Sequence, residues 1–268
     1  MKNFLNWLLS KVTGKTQITL GSSNNWIQYA PSDSRQKFGV YDTNDCWDFS
    51  GVKAIAYSMN MLKAKGLLSA DALNFFTVNG YLDANGLFAF SERFISIVSG
   101  VEGNGNQGEQ AGYLGSKYGL IPRSMLTYTD AQSIAHTTYL DFCADYYNPL
   151  AITDAMYALG EQFLQYISIE QRRVGTLGTT PDTTTLNNAL QVTPLQIGVP
   201  VPPNTSLWNN TNIYPYAGMK GMNHLVTMTS INDIGEYFID DQYNPRYKSL
   251  GAGYLLYDVV QYLISPLK

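Results

Sequence analysis

The chain has 268 residues, 45% of them hydrophobic and only 14% charged, with a net charge of −4. That is enough apolar material for one large domain or two lobes sharing an interface, and the small acidic excess leaves no basic footprint for nucleic acid. Two cysteines do not make a disulfide framework, a zinc site would need both cysteines and both histidines without the paired spacing such sites show, and no apolar run approaches the roughly 18 residues of a membrane span.

From the N-terminus, Phe4, Leu5, Leu8, Leu9 and Val12 mark one face of a short amphipathic helix, expected to dock on this or another protein subunit. Asn6 interrupts the run and no small-residue cleavage site follows, so it does not read as a signal peptide. Residues 13–25 read as a linker, in which Gly14-Lys15-Thr16 lacks the first glycine of a phosphate loop. The stretch Asp42–Ser50 then places Cys46 behind a polar turn at the start of a helix. Its apolar stripe is Phe49, Val52, Ile55, Ala56, Met59 and Leu62, and Gly66 stops it. A thiol there feels the positive end of the helix dipole, beside backbone N–H groups that lack acceptors. Both favour a thiolate, and the N–H groups can hold an oxyanion.

A short helix is expected over Asp71–Phe76. Asp83, Asn85, Gly86 and Glu92 partly fit a calcium loop, but Tyr81 stands at its first position and supplies no carboxylate, so an Asn-Gly turn explains them better. Ser91 can cap a helix to Ser99. Gly103, Gly105 and Gly108 satisfy G-x-G-x-x-G after a helix rather than a strand. They read as a surface loop opening a helix over Glu109–Tyr118, not as a dinucleotide site.

Residues 127–173 look mainly helical, with His136 a surface or capping residue and Cys143 a small core residue. The Thr/Gly/Pro-rich stretch Val174–Pro181 is the internal boundary. Beyond it come a short helix to Leu190 that Asp182 or Thr183 can cap, a strand over Leu195–Val199 and a polar loop, residues 201–216, holding Trp208. Extended runs follow at His224–Ser230 and Tyr237–Asp241. The predicted organisation is residues 1–25 as helix and linker, 26–180 as a helical lobe and 181–268 as a strand-rich lobe, an α+β arrangement. No cofactor or metal is called for.

Cys46 in one lobe and His224 at a strand start in the other supply a thiol and a base. Asp241 is placed to orient an imidazole, and strand alternation lets only one of Asp240 and Asp241 face His224. At these residues the chain resembles the papain-like cysteine proteases. Cys46-Trp47-x-Phe49-Ser50 is similar to their Cys-Trp-Ala-Phe-Ser nucleophile motif, His224-Leu225-Val226 to their His-Ala-Val, and Asp241-Gln242-Tyr243 to their Asn-Ser-Trp. The pattern is closer still to papain-like proteins encoded by bacteriophages. That similarity lies in the Asp-Thr-x-x-Cys stretch, Ser91-Glu92-Arg93-Phe94, Tyr118-Gly119-Leu120-Ile121-Pro122 and Ala189-Leu190 with Pro194-Leu195-Gln196.

The resemblance covers about residues 36 to 255. It implies a two-lobe papain-like fold and a peptidase acting on peptide or protein substrates through Cys46, His224 and Asp241. The setting it implies is the host cytoplasm or an assembled virion, with virion subunits as partners of the N-terminal helix. The chain departs from the pattern in three places. Val40 stands where the family carries the oxyanion Gln, six residues before the Cys, leaving Gln36 and Asn44 beside the Cys46 N–H as oxyanion candidates. Asp45 and Asp48 flank the thiol, where two carboxylates are expected to oppose its ionisation. Asp241 replaces the orienting Asn. These departures raise two other readings, a virion structural or adaptor protein on the same fold, and a cell-wall amidase or endopeptidase. Trp47 and the helical insertion before His224 weigh against the last.

Overall fold

In a computed structural model the described residues are 25–103, 105–216 and 218–267. The predicted amphipathic helix and nearly all of the linker lie outside them. The first half is helical, with α1 (Cys46–Ala64), α2 (Ala70–Val78), α3 (Glu92–Ser99), α4 (Gln110–Tyr118), α5 (Asp130–Ile134), α6 (Tyr139–Tyr146) and α7 (Asp154–Phe163). Two of these helices are capped by serine side chains. The Ser69 hydroxyl accepts from the Ala72 N–H and that of Ser91 from the Phe94 N–H, satisfying helix donors that have no intrahelical acceptor.

The second half forms one seven-stranded sheet in the order β3 (Ile167–Arg173), β9 (Asp258–Pro266), β4 (Leu195–Val199), β6 (His224–Ile231), β7 (Tyr237–Asp240), β8 (Tyr247–Leu250) and β5 (Asn212–Ile213). All its pairings are antiparallel except β5 with β8. Between β3 and β4 lies α8 (Thr183–Leu190), capped by Asp182 as expected. The sheet corrects one expectation. Residues 167–173 are a strand and not part of a helical run, so the sheet begins ahead of the Thr/Gly/Pro stretch. Ile167 and Ile169 are buried while Ser168 and Glu170 are not, a period-two pattern that the longer helical periodicity before it concealed.

Helix α1 runs between the helical lobe and the sheet, and every residue from Trp47 to Leu62 is buried. A helix covered on all sides must satisfy its polar residues internally, and α1 does so against the sheet. Ser50 O accepts from Thr227 Oγ1 at 2.9 Å, and Gln196 Nε2 donates to Ser50 Oγ at 2.6 Å and to Trp47 O. Tyr262 OH reaches Gln196 Oε1 and donates to Gly108 O at 2.7 Å. Further along, Lys53 Nζ donates to Asp240 Oδ1 at 2.8 Å and Tyr57 OH to Asp240 Oδ2 at 2.8 Å. The axis of α1 can lie this close because residue 51 is glycine. A Cβ there would stand 2.4 Å from Ala111 Cβ and 2.9 Å from Tyr262 Oη.

A satellite aromatic cluster of Tyr128, Phe142, Cys143, Tyr146 and Tyr147 sits beside the main core. It seats a small hairpin of β1 (Lys37–Phe38) and β2 (Tyr41–Asp42), with Phe38 against Tyr128 at 5.4 Å and Tyr41 stacked on Phe142 at 5.3 Å. Cys143 is thus the core residue the sequence suggested.

The close approach at Gly51 predicts that Gly51→Ala forces α1 off α4 and the sheet. Stability should fall by about 1–3 kcal/mol, the usual cost of overpacking a dense core, read as a lower urea midpoint at unchanged m-value.

Candidate active site

Cys46 is the first residue of α1 and partly exposed. The turn before it is held by its own polar groups. Asn44 takes a left-handed φ of 58°, its N–H donates to Asp42 Oδ1 at 2.8 Å, and the Thr43 carbonyl accepts from Tyr147 OH at 2.6 Å. This delivers the thiol to the helix N-terminus, where the local dipole favours an anion.

His224 opens β6 across the cleft and is 4% exposed. Its Nε2 donates to Asp241 Oδ1 at 2.7 Å, and Cys46 faces the same imidazole across the cleft and acts on its charge. Asp241 follows the end of β7 and is buried. Its Oδ1 also accepts from the Gln242 N–H at 2.7 Å, and its Oδ2 from Trp208 Nε1 at 2.8 Å and from Lys248 Nζ. Alternation resolves the two aspartates as expected, since Asp240 turns to the other side of the strand, to Lys53, Tyr57 and Arg246.

Burial by itself would disfavour the His224 imidazolium. The charge of Asp241 and its hydrogen bond, followed by Cys46, outweigh burial and raise His224 to about 10. Burial would likewise raise Asp241, but His224 and then Lys248 hold it well below the usual carboxylate range. The pair is therefore a carboxylate and an imidazolium over a wide pH range.

The cleft has a volume of about 520 Å3. One wall carries Gln36, Asn44, Cys46, Gly103, Gly105 and Asn106, and the other Met222, Asn223, His224, Leu225 and Tyr243. Among the described residues, His224 is the one basic side chain that lines it and no carboxylate does. Tyr243 packs on His224 at 5.2 Å, and Trp208 meets the ring edge-on at 5.5 Å.

All three oxyanion candidates border this cleft. Val40 is 71% exposed at the tip of the hairpin, whereas the Gln36 side chain is buried in the cleft wall. Its Nε2 donates to Asp42 Oδ1 at 2.9 Å and to Tyr243 OH at 2.6 Å. The hairpin explains the displaced count. Residues 37–42 loop out and return, with the Thr43 N–H bonded to the Gln36 carbonyl at 3.0 Å, so Gln36 lies near Cys46 despite its sequence distance. Asn44 Nδ2 is engaged by Gly103 O at 3.3 Å and Tyr139 OH at 2.9 Å.

The flanking acids behave differently from the expectation. Neither Asp45 nor Asp48 lines the cleft. Asp45 accepts from Trp47 Nε1 at 3.3 Å and Tyr147 OH at 2.7 Å, and Asp48 from Ser96 Oγ. Burial pushes Asp45 up to about 7, and burial followed by the Asp45 charge pushes Asp48 well above the ordinary value. With both carboxyls raised above the ordinary range, the pair exerts less repulsion at neutral pH than two exposed carboxylates would. His136 sits away from the cleft, bonded to Tyr128 OH and Asp145 Oδ2 at 3.1 Å. Sequence reasoning passed over Lys248, and it placed Trp208 only in a loop. The Lys248 signal was present, because in Tyr247-Lys248-Ser249-Leu250 the lysine shares its strand face with buried Leu250.

Solved structures resembling the chain are papain-like cysteine proteases. Digestive procathepsin L 3 of Tenebrio molitor larval midgut is 12% identical with a TM-score of 0.58, over 92% of this chain and 72% of that one. A Carica candamarcensis cysteine protease is 16% identical with a TM-score of 0.52, over 89% and 96%. Bromelain from Ananas comosus is 13% identical with a TM-score of 0.54, over 89% and 97%. The chain thus has the papain-like fold, helical on one side of the cleft and strand-rich on the other. No family model and no curated protein sequence matches it.

The buried acids set a pH dependence of stability. A carboxyl whose folded pKa is raised binds more protons folded than unfolded, so stability falls as pH rises from its ordinary value through its folded one. For Asp45 that window runs from 3.8 to about 7. Asp48→Asn, which keeps the neutral shape without the ionisation, should flatten the decline in urea midpoint between pH 5 and 8 and raise the midpoint at pH 8.

Proposed function

We propose that the protein is a cysteine peptidase that hydrolyses peptide bonds through a thioester on Cys46. The observation that carries this is the line of three groups, with Cys46 and His224 facing each other across the cleft and His224 Nε2 bonded to Asp241 Oδ1 at 2.7 Å. An open cleft at a helix N-terminus surrounds it. The papain-like fold of the chain supports the same reading.

In the proposed reaction the Cys46 thiolate attacks the peptide carbonyl carbon while His224 holds the proton. The oxyanion develops toward the Cys46 N–H and the Gln36 amide. Gln36 is favoured over Asn44 because its contact with Tyr243 is readily exchanged. Tyr243 OH keeps a second partner in Asp42 Oδ2, to which it is bonded at 2.5 Å. The C–N bond then breaks as His224 gives its proton to the leaving amine. Water then attacks the acyl carbon, giving its proton to His224, and the C–S bond breaks to release the acid and restore the Cys46 thiolate beside protonated His224. Asp241 holds the ring in one orientation and tautomer. A cleft wall without carboxylates or basic residues beyond His224 suits an extended peptide with uncharged side chains.

The shared order of sequence motifs supports placing the protein in the bacteriophage-encoded branch, acting in the host cytoplasm or in an assembled virion. The N-terminal amphipathic segment is the proposed contact with other subunits.

A peptide-like epoxide at neutral pH should label Cys46 and not buried Cys143, as read by mass spectrometry of the two cysteine peptides. Equal or absent labelling would instead favour a structural subunit on this fold. Cys46→Ala should lower peptide cleavage by at least about 1000-fold, and Gln36→Ala should lower kcat by roughly 100- to 1000-fold, with cleavage of an uncharged fluorogenic peptide as the measurement.

A further inference from the structure

Lys248 lies at the centre of β8 with its side chain 0% exposed. It contacts Asp241 Oδ2, and its ammonium lies 4.9 Å from the centre of the Trp208 ring. Trp208 Nε1 donates to that same oxygen. Burying an ammonium costs several kcal/mol unless it is paired and hydrogen-bonded, so a lysine here is a demanding choice for mere packing. The charges nearby are otherwise accounted for. From α1, Lys53 serves Asp240 Oδ1 and the Asp241 carbonyl, the latter at 3.1 Å. Asp240 also takes Arg246 Nη2 at 2.7 Å and Tyr57 OH at 2.8 Å. Tyr243, on the far side of His224, gives its proton to Asp42. Asp241 is therefore the carboxylate that Lys248 neutralises.

We propose that Lys248 is a positioning residue of the Cys46, His224 and Asp241 site. Its ammonium holds Asp241 Oδ2 so that only Oδ1 serves the imidazole, and its charge offsets the carboxylate charge that the Cys46–His224 pair experiences. The proposal rests on the peptidase reading of that site. Without Lys248, a full negative charge would stand behind His224, and protons would leave the Cys46–His224 pair only at higher pH. With it, Asp241 and Lys248 together act on the ring as a neutral hydrogen-bond acceptor, as an amide at that position would.

The test is the pH dependence of Cys46 alkylation by iodoacetamide, a neutral probe, followed on the Cys46 peptide and independent of any peptide cleavage. Lys248→Met should move the acid limb upward by roughly one pH unit, the order expected for removing a charge at this range. Lys248→Arg, which keeps the charge, should leave the limb near that of the wild type. Asp241→Asn alone strands the ammonium and should move the limb downward. Adding Lys248→Met to it should return the limb toward the wild-type position, whereas a purely structural lysine would leave the double variant no better than either single one. A wild-type limb in Lys248→Met, or a double variant no closer to wild type than Asp241→Asn, would overturn the proposal. Should Lys248→Met fail to fold, the comparison of Asp241→Asn with the double variant still decides. Alkylation limbs that follow this pattern in a chain that cleaves no peptide would instead count against the peptidase reading alone.

Discussion

Two consecutive carboxylates at the end of β7 fix both halves of the site. Asp240 points to one side of the strand and ties down the helix that carries Cys46 through Lys53 and Tyr57, with Arg246 joining from the following turn. Asp241 points to the other and holds His224. Because successive side chains of a strand diverge by geometry, one dipeptide sets the thiol-bearing helix and the imidazole relative to each other. Buried charges are weak contributors to stability, since desolvation offsets their attraction. Their value here is positional. Every oxygen of both carboxylates has a donor, which leaves no alternative arrangement of comparable energy.

The same logic extends along the interface between α1 and the sheet. An apolar helix could slide or rotate against its sheet at little cost. Gln196 and Thr227 instead form directional contacts with Trp47 and Ser50 of α1, with Tyr262 bonded to Gln196 behind them, and the contacts to α1 would be lost if the helix shifted by a turn. Gly51 supplies the closeness that these bonds require. The interlobe surface thus combines density with polarity, and it delivers Cys46 to a cleft whose opposite wall belongs to the sheet.

The sequence made the α1 helix, its cysteine, the caps at Ser91 and Asp182, and the His224 and Asp241 positions legible, because each depends on a local period or a local motif. What it hid depends on longer-range geometry. Residues 167–173 alternate at period two but follow a helical stretch, and their strand character is completed by β9, almost a hundred residues later. Counting back six residues from Cys46 leads to Val40, since a linear count cannot see that the hairpin leaves the path and returns. The fates of Asp45 and Asp48 turn on burial by Tyr147 and Ser96, which no spacing encodes. Lys248 and Trp208 become part of the site only when β8 and the loop before β6 converge on Asp241.

The neutral acids under Cys46 and the paired acid behind His224 follow from one constraint. A site working through a thiolate and an imidazolium, as proposed, would need a field that is positive at the sulfur and moderately negative at the ring. At the helix N-terminus, Asp45 and Asp48 as anions would interact well with the dipole while competing with the thiolate for it. Burial drives them toward their neutral forms and leaves the dipole to the sulfur. Behind the ring Asp241 stays ionised, held there by His224 and by the Lys248 ammonium on its Oδ2. The same residue type is thus raised on one side of the cleft and lowered on the other, according to whether a cation offsets the effect of burial.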